Sequence, residues 1–402
     1  MLLKREKKSA RYVITLLIIS IVLTFCACDV QNEDTTTQNK ETTVNSPTVQ
    51  ITTKTEQTDP AQTSPVADEV GKEDEYSYEV FDNKAYISGY SGDKTDITIP
   101  TAVDKYAVFG IKEKAFAENK EITSITIPSG IESIGASAFL DCSSLSSVSL
   151  PDTLKIIEYC AFEGCAFSSI TLPESVTEIG ERAFADCTKL DNITLPSNLK
   201  KISYGTFDKC TLLASITIPQ TVTEIGGCAF SGCAFTQIVL PDSVEKLGYS
   251  VFSSCSKLTK ITLGNRITDI PDMAFYECSV LTDVTLGDDV KSIGQRSFFS
   301  CMDLIKIALP DTVEKIGESA FFNCEDLKEV NVPDGIKKIN DNTFYNCRSL
   351  NTISLPQGIQ SIGKDAFTES AMTVINFNGT EDQWNACKGE EDYSSITVNF
   401  AK

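Results

Sequence analysis

A phenylalanine returns every 22 or 23 residues through most of this chain, at Phe116, Phe139, Phe162, Phe184, Phe207, Phe230, Phe252, Phe275, Phe298, Phe321, Phe344 and Phe367. Around it one phrase recurs, Pro-x-x-Val-x-x-Ile-Gly-x-x-Ala-Phe-x-x-Cys-x-x-Leu-x-x-Ile-x-Leu. One copy is too small to offset the roughly 1–2 kcal/mol per residue lost in ordering its backbone. Stacked copies share a continuous core, so a fixed period this short predicts a solenoid in which each coil is buried by its neighbours. About 12 coils follow from the phenylalanines.

The segment closing each phrase, such as Ser215-Ile216-Thr217-Ile218-Pro219, alternates polar and apolar with β-branched residues. That is the pattern of a strand with one solvated face, and equivalent strands should align as a parallel sheet. The following proline lacks a donor N–H and ends the strand. Gly264 and Gly287 replace it in two coils. The glycine of the Ile-Gly step is a preference and not a requirement for positive φ, because Pro271, Glu158 and Asn340 hold the same place and proline cannot adopt positive φ.

The phrase Ile-Pro-x-x-Val-x-x-Ile-Gly-x-x-Ala-Phe-x-x-Cys resembles the BspA-like leucine-rich repeat of bacterial surface proteins, over residues 76–400. The lead-in Tyr86-Ile87-Ser88-Gly89-Tyr90 and the closing Gly379-Thr380-x-x-x-Trp384 resemble that family's entry and exit segments. The resemblance implies an α/β fold: a right-handed leucine-rich-repeat solenoid, or horseshoe, with a parallel β-sheet and coils of 22–23 residues. It also implies display outside the cell and a role in binding, often as an adhesin.

Residues 1–27 resemble a lipoprotein signal peptide. Lys4, Arg5, Lys7, Lys8 and Arg11 precede the apolar run Tyr12 to Phe25, which is short for a membrane span, and Ala27 precedes Cys28. Cys28 is then the expected lipidation site, with an ordinary secretory signal or an uncleaved anchor as alternatives. Residues 28–75 are Thr-, Gln- and Asn-rich and lack aromatics, which predicts a disordered polar tether. Residues 76–100 predict an N-terminal β cap, 101–377 the repeats and 378–402 a C-terminal cap around Trp384, the single tryptophan.

Composition narrows the function. A formal charge of −21 argues against a nucleic-acid partner, and any membrane contact is expected through the lipid anchor only. The chain has no histidine, which removes the commonest general base and zinc ligand, so no enzyme, metal or cofactor is expected. The acids Asp152, Glu174, Asp242, Asp311 and Asp334 follow the strand-ending proline or its equivalent and make no catalytic pair. The leading expectation is a cell-surface binding or adhesion protein whose partner is an extracellular protein or glycan. The alternatives are an envelope glycan-active enzyme and a structural spacer.

Ten cysteines, Cys142 through Cys347, lie three residues after the repeat phenylalanine. One per coil at one phase predicts a buried ladder of thiols bonded to turn backbone. Cys160 and Cys228 stand two before the phenylalanine, a place read as exposed, and local Cys160–Cys165 and Cys228–Cys233 disulfides are a further hypothesis. On the sheet's outer face one column is uncharged to Gln237 and then runs Lys260, Asp283, Lys306, Glu329. Those four alternate in sign and are the candidate partner-binding residues.

Overall fold

The computed structural model describes residues 66–401; the leader, Cys28 and the tether up to residue 65 lie outside them. The described chain winds as a parallel-sheet solenoid of about 14 turns. Each coil has three hydrogen-bonded sides. The first is the expected strand ladder, for instance Ser124–Thr126 paired in parallel with Ser147–Ser149, and Lys260–Thr262 with Asp283–Thr285. The second is a ladder of two-residue strands just before the Ile-Gly step, for instance Ser133–Ile134, Ile156–Ile157 and Glu178–Ile179. The third is a row of turns around the repeat phenylalanine, where Phe139 N donates to Ala161 O of the next coil at 2.8 Å.

In that third side two residues per coil take a left-handed backbone, two before and two after the phenylalanine: Ser137 (φ 54) and Asp141 (φ 55) around Phe139, Arg182 (φ 55) and Asp186 (φ 53) around Phe184. These bends fold the chain tightly enough that no helix forms on the return legs. The helical share of the expected α/β fold is, among the described residues, α1 (Glu381–Cys387) in the C-terminal cap.

The core is a column of coins. From Phe116 to Phe367 each ring stacks on the next, with centroids 5.0–5.8 Å apart and planes within 21°. Two coils are one residue short, and there Phe167 and Phe235 occupy the place of the usual leucine. The larger ring fills what the missing residue vacates, meeting Phe162 and Phe230 edge-on at 5.9 and 5.6 Å. The first ladder breaks between Ser147–Ser149 and Ser169–Thr171, across a short step, and also between Asp283–Thr285 and Lys306–Ile307, across a full one. It breaks again around Ser215–Thr217, which was expected to be a strand and is irregular. There Ala234 N bonds Leu213 O at 2.9 Å.

The Ile-Gly glycine serves close approach. A Cβ on Gly135 would stand 2.7 Å from Glu113 N of the preceding coil. Two polar residues that take this place reach back to the coil behind: Asn340 Nδ2 donates to Ile316 O at 2.6 Å, and Ser203 Oγ to Ile179 O at 2.6 Å.

Both ends are covered. At the N-terminal end β1 (Glu69–Glu73), β2 (Tyr76–Phe81) and β3 (Lys84–Tyr90) form an antiparallel meander, and β3 joins the second ladder in parallel. The cap therefore begins at residue 69, inside the stretch assigned to the tether. Its first strand, Glu-Val-Gly-Lys-Glu, is mostly exposed and carries no apolar periodicity; backbone pairing to β2 holds it. At the other end α1 starts on a capping box between Thr380 and Gln383 and presents Trp384, which packs on Phe377 and Tyr393 at 5.7 and 5.2 Å and is 4% exposed. Trp384 is a cap residue, as expected.

Candidate binding faces

Parallel register puts equivalent residues side by side, so each outward position becomes a column. Lys260, Asp283, Lys306 and Glu329 do fall in one column, in the registers Lys260↔Asp283 and Lys306↔Glu329. All four are exposed. Lys260 Nζ lies 2.8 Å from Asp283 Oδ2, so the alternation in sign has a local use as a cross-strand pair. In the neighbouring column Asn331 departs from the usual threonine. Its side chain clamps Leu309, accepting from Leu309 N at 2.8 Å and donating to Leu309 O at 2.7 Å.

The thiols lie inside. Each ladder cysteine donates to the carbonyl of the phenylalanine one coil back, from Cys142 Sγ to Phe116 O at 3.1 Å to Cys347 Sγ to Phe321 O at 3.2 Å. Burial pushes the Cys142 and Cys347 thiols up to about 12, because a thiolate there would lose its hydration. Cys165 is committed in the same way to Phe139 O at 3.2 Å, and no disulfide joins it to Cys160 or Cys233 to Cys228. Cys160 is buried, contrary to the expectation of exposure. Its small side chain lies among Tyr159, Glu163 and Arg182, where the longer Lys114 in the equivalent bend of another coil reaches solvent. Among the described residues no group of His, Cys, Asp and Glu has a geometry that could hold a metal ion.

Two of the corner acids bond to the next coil. Glu174 Oε2 accepts from Ser197 N and Oγ at 2.8 and 2.7 Å, and Asp242 Oδ1 from Asn265 N at 3.0 Å. The Ser197 bonds hold Glu174 below the usual carboxylate range. One shallow depression of about 650 Å³ sits on the second ladder, lined by Glu245, Lys246, Arg266 and Asp269 among others. Three of its charged groups are already engaged, Arg266 with Glu245 at 2.6 Å and Asp269 with Thr268 at 2.7 Å and with Ser292.

The turn side carries side chains that lie outside the consensus phrase. One row directly follows the repeat phenylalanine: Tyr276, Phe299, Phe322 and Tyr345, in consecutive coils, stack with centroids 4.6–4.9 Å apart. Another row stands three residues before it, at Tyr159, Glu181, Tyr204, Gly227 and Tyr249. Tyr159 and Tyr249 are 51% and 55% exposed, and Tyr249 leans across Gly227 to reach Tyr204 at 6.0 Å. Beside them Arg182 is gripped by Glu163 at 2.7 Å, Asp186 at 3.2 Å and Asp208 at 3.4 Å. Writing the repeats beneath one another and reading the unconserved places as columns would have found both rows.

A family model described as BspA type leucine rich repeat region (6 copies) matches residues 110–233, 200–328 and 291–389. Among solved structures, a leucine rich cell surface protein from Faecalibacterium prausnitzii A2-165 is 27% identical with a TM-score of 0.57, covering 83% of this chain and 100% of that one. The pneumococcal vaccine antigen PcpA aligns with a TM-score of 0.59 at 20% identity, covering 83% of this chain and 99% of its own, a likeness of fold alone. A leucine-rich repeat protein from Bacteroides ovatus ATCC 8483 is 28% identical with a TM-score of 0.49, over 83% of this chain and 100% of that one. No curated protein matches the chain.

Proposed function

Since this chain belongs to the BspA-type leucine-rich-repeat family, we propose that it is a cell-surface protein that binds an extracellular protein or glycan along the outside of its coils and performs no chemistry on it. The observation that carries this reading is the division of labour within each coil. The inward places keep phenylalanine, cysteine and leucine from coil to coil, whereas the outward columns change in charge and in aromatic character along the stack. An extended surface of that kind suits a large partner better than a small substrate.

Two further points support it. The solved cell surface protein of Faecalibacterium prausnitzii aligns over its entire length. Two of the corner carboxylates, Glu174 and Asp242, accept backbone or hydroxyl hydrogens from the next coil. Attachment is proposed through Cys28, which lies outside the described residues. A diacylated cysteine and a polar tether would hold the coils at the outer membrane leaflet.

The test is surface plasmon resonance of the purified protein over immobilised matrix proteins, mucins and polysaccharides. Saturable binding to at least one surface supports the reading, and no binding to any of them favours a structural spacer. Cys28→Ala should abolish incorporation of labelled fatty acid and release the protein into the medium. Retention of the variant in the membrane fraction would contradict the anchor.

A further inference from the structure

Resting on that reading of a surface-binding protein, we infer that the tyrosine row on the turn side, Tyr159, Tyr204 and Tyr249, is a binding strip for a neutral, extended β-linked glycan. Equivalent places two coils apart are separated by about 10 Å, twice the strand spacing. That is close to the length of one disaccharide unit in an extended β-1,4-linked chain. Tyr159 and Tyr204 stand two coils apart, and Tyr249, two coils further on, leans back until its ring lies 6.0 Å from that of Tyr204, so the spacing separates Tyr159 from the Tyr204–Tyr249 pair.

Tyr159 and Tyr249 keep about half of their surface open to a ligand, while Tyr204 is partly covered by Tyr249. Gly227 lies under Tyr249, and a Cβ there would stand 3.1 Å from its ring. Gly205 lies under Arg182, where a Cβ would stand 3.1 Å from Arg182 Cγ. Tyr204 and Tyr249 meet with planes tilted by 42°, forming one composite platform, while Tyr159 makes a second. The row Tyr276 to Tyr345 shows the contrast. Its rings occur in every coil and stack within 13°, so they cover one another's faces and leave only edges outside.

The electrostatics select a neutral chain. Arg182 is the cation of this patch, and three carboxylates already surround it. Exposed Glu181 and Asp272 add negative charge to the row. An anionic polysaccharide would be repelled, whereas the hydroxyls of a neutral sugar find acceptors in these carboxylates and flat apolar surface on the phenol rings.

Isothermal titration of the purified protein with cellohexaose and chitohexaose, and with the matching disaccharides, tests this. At least one hexaose should bind, at least about tenfold tighter than its disaccharide, because only the longer chain spans both platforms. Tyr159→Ala and Tyr249→Ala should each weaken the hexaose by about tenfold or more while leaving the thermal midpoint in place, since both rings are exposed. A hyaluronan hexasaccharide should give no heat. Absence of binding by both hexaoses, or hexaose binding unchanged in both variants, overturns the inference. So does equal binding of the hyaluronan fragment. If the hexaoses fail while the protein still binds a surface of the panel, the glycan strip falls and the surface-binding function stands; if nothing binds, both fall.

Discussion

The thiol of Cys233 donates to the carbonyl of Phe207, 3.3 Å away in the coil behind it. The same bond recurs from coil to coil, tying the two residues that make the repeat recognisable. Cysteine suits the place because its sulfur is small and apolar enough for a dry interior yet still satisfies a turn carbonyl.

These thiols should be inert in the folded protein. With native protein at pH 8, a disulfide thiol reagent should leave the ladder unmodified, and in denaturant all of it should react. Prompt reaction of the ladder in native protein would contradict the burial described.

The same ladder makes stability fall in alkali. A buried thiol raised to about 12, as for Cys142 and Cys347, keeps its proton in the folded state, whereas the unfolded thiol ionises near 8.5. The contribution is complete below the unfolded value and is lost as pH rises from about 8.5 towards 12. The urea midpoint should drop over that window, and Cys347→Ala should make the drop shallower.

Phe252 is fully buried between Phe230 and Phe275, at 5.6 and 5.8 Å. Phe252→Ala should destabilise by about 3–5 kcal/mol in urea titration, because the coils are pinned on both sides and cannot close the gap. Tyr249→Ala, on the exposed face, should stay within about 0.5 kcal/mol.

Lys260 and Asp283 are about half exposed, so their pair should contribute no more than about 1 kcal/mol. Lys260→Glu should cost that much at low salt, and the exchange Lys260→Glu with Asp283→Lys should recover it. If this column also recognises the partner, the exchanged protein keeps its stability and loses binding.

Asn331→Ala removes the clamp on Leu309 and leaves its N–H and C=O without the bonds they make now, at a cost of about 1–3 kcal/mol. Asn331→Thr should be milder, because threonine coils close with a backbone bond, as Leu240 N does to Thr262 O at 2.9 Å. Hydrogen exchange at the Leu309 amide reads the difference directly.

The inside of the coil was legible in the sequence because each inward place must match the one below it. Phenylalanine, cysteine and leucine therefore recur in phase, and the stack, the thiol bonds and the role of Trp384 could be foreseen. The second ladder was harder, since two residues such as Lys201–Ile202 carry no alternation to detect. Cys160 was placed outside because Lys114, Ser137 and Arg182 share its position; a short thiol there is covered by Tyr159 and Glu163, a local effect that periodicity does not carry. The tyrosine row escaped notice because binding residues are those that depart from the phrase, and a consensus discards them. Lys260 to Glu329 were found by their column, but their pairing with each other emerges only from register.

The most direct test of the division between a constant interior and a variable binding exterior is a comparison of surface plasmon resonance responses on the same panel for three proteins: the parent, Tyr159→Ala with Tyr249→Ala, and Lys260→Glu with Lys306→Glu. The account predicts that the parent binds at least one surface and that at least one variant loses it while staying folded, with stability lowered by no more than about 1 kcal/mol. A parent that binds nothing, or two folded variants that bind every surface as the parent does, would contradict it.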